Sequence, residues 1–147
     1  MNLRPPQARY WPVYAVSAGI WLSGGLWLLF HYFLARETAF GPAPHPLERW
    51  WLAAHGAMAF ASLWLMGFLW ATHIVQRWRL GRHRKTGGTL FAIMTVLIVS
   101  GFLLYYLPSD ELRSPTAIAH WVIGLAMPLA LLAHWSIRAL NALGSQQ

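Results

Sequence analysis

The stretch HWVIGLAMPLALLAHW, residues 120–135, carries a His-Trp pair at each end of twelve uncharged residues. It lies within an apolar run from about 116 to 137, which is close to the ~20 residues that an α-helix needs to cross the hydrocarbon core of a membrane. A histidine inside a membrane is costly and needs a partner, because lipid tails supply no hydrogen bonds. The stretch therefore predicts a membrane-spanning helix with two functional imidazoles.

Three more apolar runs precede this one, at about 11–35, 50–76 and 89–107. The composition also indicates a membrane protein, since 57% of the 147 residues are hydrophobic and only 10% are charged, whereas ordinary soluble domains carry roughly 25% charged residues. The first run is longer than the apolar core of a signal peptide and lacks a convincing cleavage site after it. It is therefore predicted to be a mature helix.

Turn-forming segments separate the four runs. They are GPAPHP at 41–46, TGG at 86–88 and LPSDELRSP at 107–115, and each contains glycine or proline, the residues that most often mark turns. Pro128 lies within the fourth run and predicts a kink there. Short connections between antiparallel helices favour a single all-α domain over residues 1–147, an integral membrane up-down-up-down four-helix bundle.

The net charge of +7 is interpreted as a topology signal rather than a nucleic-acid surface, because the basic residues occupy short segments between the apolar runs. If the N-terminus is cytoplasmic, eight of the eleven Lys and Arg residues lie on that side, and the outer loops hold three together with all four acidic residues. The positive-inside rule then places both termini in the cytoplasm. The chain has no cysteine, which excludes disulfides, thiolate-bound metals, iron–sulfur clusters and covalent c-type haem.

Four histidines on the second and fourth runs lie at two different depths in the predicted membrane. His55 and His120 lie at similar depths on the predicted outer side, and His73 and His134 each lie four residues before an arginine on the inner side. At about 100° per residue, the 18-residue and 14-residue steps between them return the second histidine of each helix close to the face of the first. Because the second and fourth helices are diagonal in such a bundle, the imidazoles are predicted to form two facing pairs.

A facing pair of imidazoles matches the two axial ligands of six-coordinate haem b, in which the porphyrin supplies the other four nitrogens. Zinc is disfavoured, because it needs three or four protein ligands and the spans carry no carboxylate or thiolate. Helical rises of about 27 Å and about 21 Å between the levels leave room for two stacked haems. The step between histidines is longer on the second helix than on the fourth by roughly one helical turn. Helix tilt or the Pro128 kink has to compensate for this difference.

His31 lies at the outer depth and competes with His55 for the outer haem. Its other predicted roles are a hydrogen bond to a haem propionate or a quinone, or a simple position at the membrane interface. Arginines are candidates to pair with propionates, because a guanidinium binds a carboxylate through two hydrogen bonds; they are Arg49 and Arg113 outside and Arg77 and Arg138 inside. His45 and His83 are predicted to be solvated loop residues.

The chain resembles small bacterial di-haem cytochromes b of the cytochrome b561 class over nearly its whole length. The resemblance lies in HG at 55–56, ATH at 71–73, a basic hairpin, SGFLLYY at 100–106 and the two HW pairs of the fourth run. The 14-residue histidine step also matches the cytochrome b of quinol:cytochrome c oxidoreductases, whereas the 18-residue step departs from the pattern. The resemblance implies electron transfer in the bacterial inner membrane between the quinone pool and a periplasmic or membrane partner.

Some members of this class oxidise superoxide, so a quinone-coupled superoxide oxidase or a ferric reductase is an alternative expectation. A funnel of positively charged residues on the outer side would favour this alternative. The outer loops here carry both basic and acidic residues. A haem-bearing anchor subunit of a larger oxidoreductase is another, and whether the chain is itself an enzyme stays open. Proton or metal transport is disfavoured because no Asp or Glu lies within a predicted span. Membrane lipid and quinone or quinol are the expected partners, and nucleic acid is not.

Overall fold

The four apolar runs form long helices in a computed structural model, which describes residues 11–81 and 84–144, with side chains as far as Ile137. These helices are α1 (Trp11–Phe33), α2 (Glu48–Leu69), α4 (Arg84–Tyr106) and α5 (Asp110–Gly144). Helix α2 continues through a π-helical turn (Trp70–Ile74) into the short helix α3 (Val75–Arg79). The prediction of an all-α chain with four long apolar helices is confirmed.

Each of the four helical segments is long and apolar enough to cross a membrane. Large apolar side chains along them face outward, including Phe60 (78% exposed), Trp64 (74%) and Leu129 (69%). Leaving such a side chain in water forfeits about 1.5–3 kcal/mol, so these faces are suited to lipid. The chain is therefore a multi-pass membrane protein with four candidate spans.

The contacts within the chain divide it into two units, Met1–Gly67 and Phe68–Gln147. In the first unit, α1 and α2 form an antiparallel hairpin, and a Cβ placed on Gly19 would lie only 2.8 Å from the sulfur of Met58. In the second unit, α4 and α5 form another antiparallel hairpin. Small residues at such contacts let transmembrane helices approach closely.

The connection between α1 and α2 contains a small β-hairpin that the sequence did not predict. Strand β1 (Arg36–Thr38) pairs antiparallel with β2 (Gly41–Ala43), and Thr38 lies opposite Gly41. Gly41 has a φ of +103°, which residues with a Cβ rarely adopt. The Thr38 hydroxyl donates to the Gly41 carbonyl at 2.6 Å and closes the turn.

Helices α4 and α5 begin before the positions that the sequence predicts. Residues 86–88, predicted to form a turn, lie inside the first turns of α4, and Pro115, predicted to lie in a loop, is inside α5. A Cβ on Gly87 would lie 3.9 Å from Cε1 of His134, an ordinary contact. The local sequence signal for a turn was therefore wrong at residues 86–88, which continue the helix.

His73 lies in the π-helical turn. The Val75 N–H donates to the Trp70 carbonyl, the i to i+5 bond that distinguishes a π-helix from an α-helix, and π-helical turns are frequent at functional sites. The Thr72 hydroxyl donates to the Phe68 carbonyl at 2.8 Å. The rotation of about 100° per residue assumed for the 18-residue step is an α-helical value, so it does not hold across this turn.

Candidate cofactor site

His55 is half-buried on α2 and directs its Nδ1 toward α1. This nitrogen lies 3.0 Å from the main-chain carbonyl oxygen of Ile20 and 3.3 Å from Oγ of Ser23. A carbonyl oxygen only accepts hydrogen bonds, so Nδ1 must carry the proton and donate it. In the neutral imidazole, Nε2 then has the lone pair that binds a metal.

His120 is half-buried on α5, and its Nδ1 lies 2.9 Å from Oγ of Ser100 on α4. The Ser100 hydroxyl donates to the Val96 carbonyl at 2.7 Å. With its one proton donated to this carbonyl, the Ser100 hydroxyl is able to accept a hydrogen bond from Nδ1–H of His120. The contact is therefore compatible with the tautomer of His55, in which Nε2 carries the lone pair.

His134 repeats this type of contact on the same pair of helices. Its Nδ1 lies 3.0 Å from the hydroxyl oxygen of Thr86, near the start of α4. The fourth predicted ligand, His73, is half-buried in the π-helical turn of the same unit. The facing of His55 with His120 and of His73 with His134 stays a prediction.

His31 lies near the C-terminal end of α1, and its surroundings differ from those of His55. Its Nδ1 is 2.7 Å from Oε1 of Glu48, and its side chain is 42% exposed. The imidazole also stacks on the ring of Trp27, with centroids 4.7 Å apart. His31 is thus paired with a carboxylate at the end of the hairpin, whereas His55 is held within it.

The arginines predicted to bind propionates lie in different settings. Arg49 is exposed and stacks over the ring of the adjacent tryptophan, 5.3 Å from its centroid. Arg113 donates to the Leu104 carbonyl at 3.2 Å, near the end of α4. Arg77 is half-buried in α3, and the side chain of Arg138 lies outside the described residues.

Two tryptophans carry buried indole N–H groups without a hydrogen-bond acceptor among the described residues. They are Trp51, one turn before His55 on α2, and Trp121, which directly follows His120 on α5. An unsatisfied buried donor costs about 1–3 kcal/mol. A carboxylate on a bound cofactor would satisfy such a donor with a charge-assisted hydrogen bond.

The donor set fits haem better than a bare metal ion. Within residues 11–81 and 84–144, no group of three or more His, Cys, Asp or Glu side chains could hold a metal ion. Imidazoles with Nε2 set as the metal-binding atom fit a macrocycle that occupies four positions and needs only axial nitrogens. The two indole donors suit a cofactor with acidic substituents, and haem b has both features.

Comparison of the chain with protein-family models, with curated proteins and with solved structures found no match.

The sequence did not predict the residues that hold the histidines. These are Ile20, Ser23, Thr86, Ser100 and Glu48. Hydroxyl residues inside apolar spans were a visible signal, but only the register of each antiparallel hairpin shows which histidine each hydroxyl meets.

His45 has a more defined role than the solvated one predicted for it. Its Nδ1 accepts the N–H of Leu47 at 3.1 Å, just before α2 begins at Glu48, and its ring packs against Phe30 with centroids 4.7 Å apart. It therefore helps to fix the start of α2. His83 lies outside the described residues.

Proposed function

We propose that this chain is a b-type cytochrome that transfers electrons within the membrane, similar to small bacterial di-haem cytochromes of the b561 class. One observation carries the proposal: Nδ1 of both His55 and His120 makes a hydrogen bond within its own helical hairpin. Nε2 is then the atom of each imidazole that would bind a metal, and no group of three or more ligand side chains is present among the described residues. This is the arrangement that axial haem ligation requires.

Two haems b are proposed per chain. His55 and His120 would hold one, and His73 and His134 the other, which is the pairing that the depths of the histidines in the sequence predict. His31 is the alternative ligand to His55 at the outer haem. The indole N–H groups of Trp51 and Trp121 would donate to carboxylates of the cofactor, because neither has an acceptor among the described residues.

The bound haem would supply reversible one-electron chemistry at iron. Two histidines would hold each haem, and exchange with a partner would then take place by outer-sphere transfer. The protein's hydroxyl and carbonyl acceptors fix the orientation of the imidazoles and raise their basicity as ligands. The apolar spans exclude water and thereby tune the reduction potential.

The proposed donors and acceptors are the quinone pool and a periplasmic or membrane redox partner, and the proposed location is the bacterial inner membrane with both termini cytoplasmic. The apolar spans support exchange with a lipid-soluble carrier, since such a carrier reaches the chain from the hydrocarbon layer.

A pyridine-haemochrome assay of the purified full-length protein tests the proposal. We expect about two haems b per chain and a reduced-minus-oxidised spectrum of low-spin, bis-histidine iron that carbon monoxide does not alter. Addition of a quinol should reduce part of this haem. A helical, folded preparation from a haem-replete host that contains no haem would overturn the proposal.

A further inference from the structure

Serine or threonine directly precedes glycine at three places in the sequence: Ser23-Gly24, Thr86-Gly87 and Ser100-Gly101. Each dipeptide lies against a different histidine of the proposed haem sites, namely His55, His134 and His120. In all three, the hydroxyl oxygen is within 3.3 Å of Nδ1. The repetition of one local sequence at three contacts indicates a common role.

The glycine of each dipeptide lies beside the same edge of the imidazole. A Cβ on Gly24 would approach Cε1 of His55 to 3.0 Å, and a Cβ on Gly101 would approach Cε1 of His120 to 3.2 Å. Both distances are too short for a side chain to be added without moving the ring. At Gly87 the corresponding distance to His134 is 3.9 Å, which is an ordinary contact.

Equal spacing on two helices produces two of these contacts. Thr86 and Ser100 are 14 residues apart on α4, and His120 and His134 are also 14 residues apart on α5. The two helices run antiparallel, so a step along one is matched by an equal step back along the other. The register that brings Ser100 to His120 therefore brings Thr86 to His134.

We propose that the three Ser/Thr-Gly dipeptides are positioning elements for the axial histidines, an inference that rests on the proposed function. The hydroxyl of each dipeptide, or the nearby Ile20 carbonyl at His55, accepts the hydrogen bond from Nδ1–H. Nε2 is then the atom that would bind iron. Gly24 and Gly101 leave space for the rings of His55 and His120 to lie against the neighbouring helix. The hydroxyl of each dipeptide then holds one edge of the ring, and at His55 the Ile20 carbonyl holds it too.

The three positions differ in the atom that accepts the hydrogen bond. At His55 the main-chain carbonyl of Ile20 lies closer to Nδ1, at 3.0 Å, than Oγ of Ser23 does, at 3.3 Å. At His120 and His134 the polar atom within hydrogen-bond distance of Nδ1 is a side-chain hydroxyl. A substitution can remove the hydroxyl but not the carbonyl, so the three sites respond differently to loss of the hydroxyl.

Redox titration of the haem-loaded full-length protein, before and after substitution, tests this inference. An acceptor on Nδ1–H makes the imidazole a stronger donor to iron, which stabilises the ferric state. We expect Ser100→Ala to raise the midpoint potential of one haem and to release that haem ~10-fold faster. Ser23→Ala should shift a potential less than Ser100→Ala does, because the Ile20 carbonyl still accepts from Nδ1–H of His55. Thr95→Ala is the matched control: its hydroxyl, also on α4, donates to the Phe91 carbonyl at 2.9 Å, and its loss should leave both potentials unchanged.

Two further variants keep the test decisive if Ser100→Ala folds poorly. Ser100→Thr retains the hydroxyl and should restore the parent potential, a rescue that a purely structural role would not require. Thr86→Val, which keeps the shape of the side chain, should raise the potential of the haem bound by His134.

Each outcome bears on one proposal or both. Equal potentials in the parent, Ser100→Ala and Thr86→Val proteins would overturn the positioning role while leaving haem binding intact. Equal shifts from Ser23→Ala and Ser100→Ala would also overturn it, because the carbonyl at His55 should protect that site. A parent protein without haem would overturn the proposed function and this inference together.

Discussion

His31 and Glu48 form a hydrogen bond at one end of the α1–α2 hairpin, with Nδ1 and Oε1 2.7 Å apart. The pair joins the last turn of α1 to the first residue of α2. Nδ1 of His31 is hydrogen-bonded to a carboxylate, whereas Nδ1 of His55 donates to a main-chain carbonyl of α1. The two candidates for the outer haem ligand are thus held by different partners.

Substitution of His55 and of His31 should have different effects on the outer haem. We expect His55→Ala to abolish the low-spin signal of one haem, because one axial position opens. His31→Ala should leave both haems low-spin, since its side chain is exposed and paired with Glu48. Electron paramagnetic resonance of the oxidised protein measures this, with His45→Ala as the control. Loss of the haem from His31→Ala and its retention in His55→Ala would transfer the ligand role to His31.

His73→Ala and His134→Ala should remove or alter the same haem and leave the other unchanged. The reason is that loss of either axial ligand leaves the iron five-coordinate and able to bind carbon monoxide. Carbon monoxide difference spectra of the two reduced variants provide the measurement. Variants that affect different haems would show that these two histidines do not form a pair.

Removal of the buried indole donors should weaken haem binding without weakening the haem-free fold. Trp51→Phe and Trp121→Phe each delete an N–H that has no acceptor among the described residues. If this group donates to a haem carboxylate, its loss should cost about 1.5–3 kcal/mol of binding, the usual contribution of a hydrogen bond to a charged group. Trp50→Phe, at a side chain that is 62% exposed, is the control, and haem transfer to apomyoglobin measures the change. Equal transfer rates in all three variants would rule out this role.

Adjacent glycines on α1 should differ in their tolerance of alanine. A Cβ on Gly24 would press on the ring of His55, whereas a Cβ on Gly25 would meet nothing within 4 Å. We expect Gly24→Ala to destabilise the protein by about 1–3 kcal/mol through overpacking. Gly25→Ala should be neutral or stabilise it by up to ~1 kcal/mol through a less flexible unfolded chain. Thermal unfolding in detergent distinguishes them, and equal unfolding temperatures would contradict the close contact.

The absence of cysteine from the sequence allows a direct test of orientation. With the N-terminus cytoplasmic, Ala39→Cys in the β-hairpin turn should react with a membrane-impermeant maleimide in intact spheroplasts. Lys85→Cys, at the start of α4, should react only after permeabilisation. The opposite pattern of labelling would reverse the predicted topology.

Hydropathy predicted the spans because the cost of placing a residue in lipid is set mainly by that residue and its immediate neighbours. The first helix was predicted over residues 11–35 and extends over Trp11–Phe33. The second was predicted over residues 50–76 and lies within the segment Glu48–Arg79. The prediction was wrong at residues 86–88, where turn-forming residues lie inside α4.

By itself, the sequence determined the four spans and the spacing of the histidines, because both follow from local hydropathy and from the fixed rise of an α-helix. Only the tertiary structure decided which polar group holds each imidazole. Ser23 meets His55 across 32 residues, and Thr86 meets His134 across 48. Such contacts depend on the register of two antiparallel helices, which side chains from both helices set together. The proton on Nδ1 of His55, and with it the atom available to a metal, therefore follows from a carbonyl group on another helix.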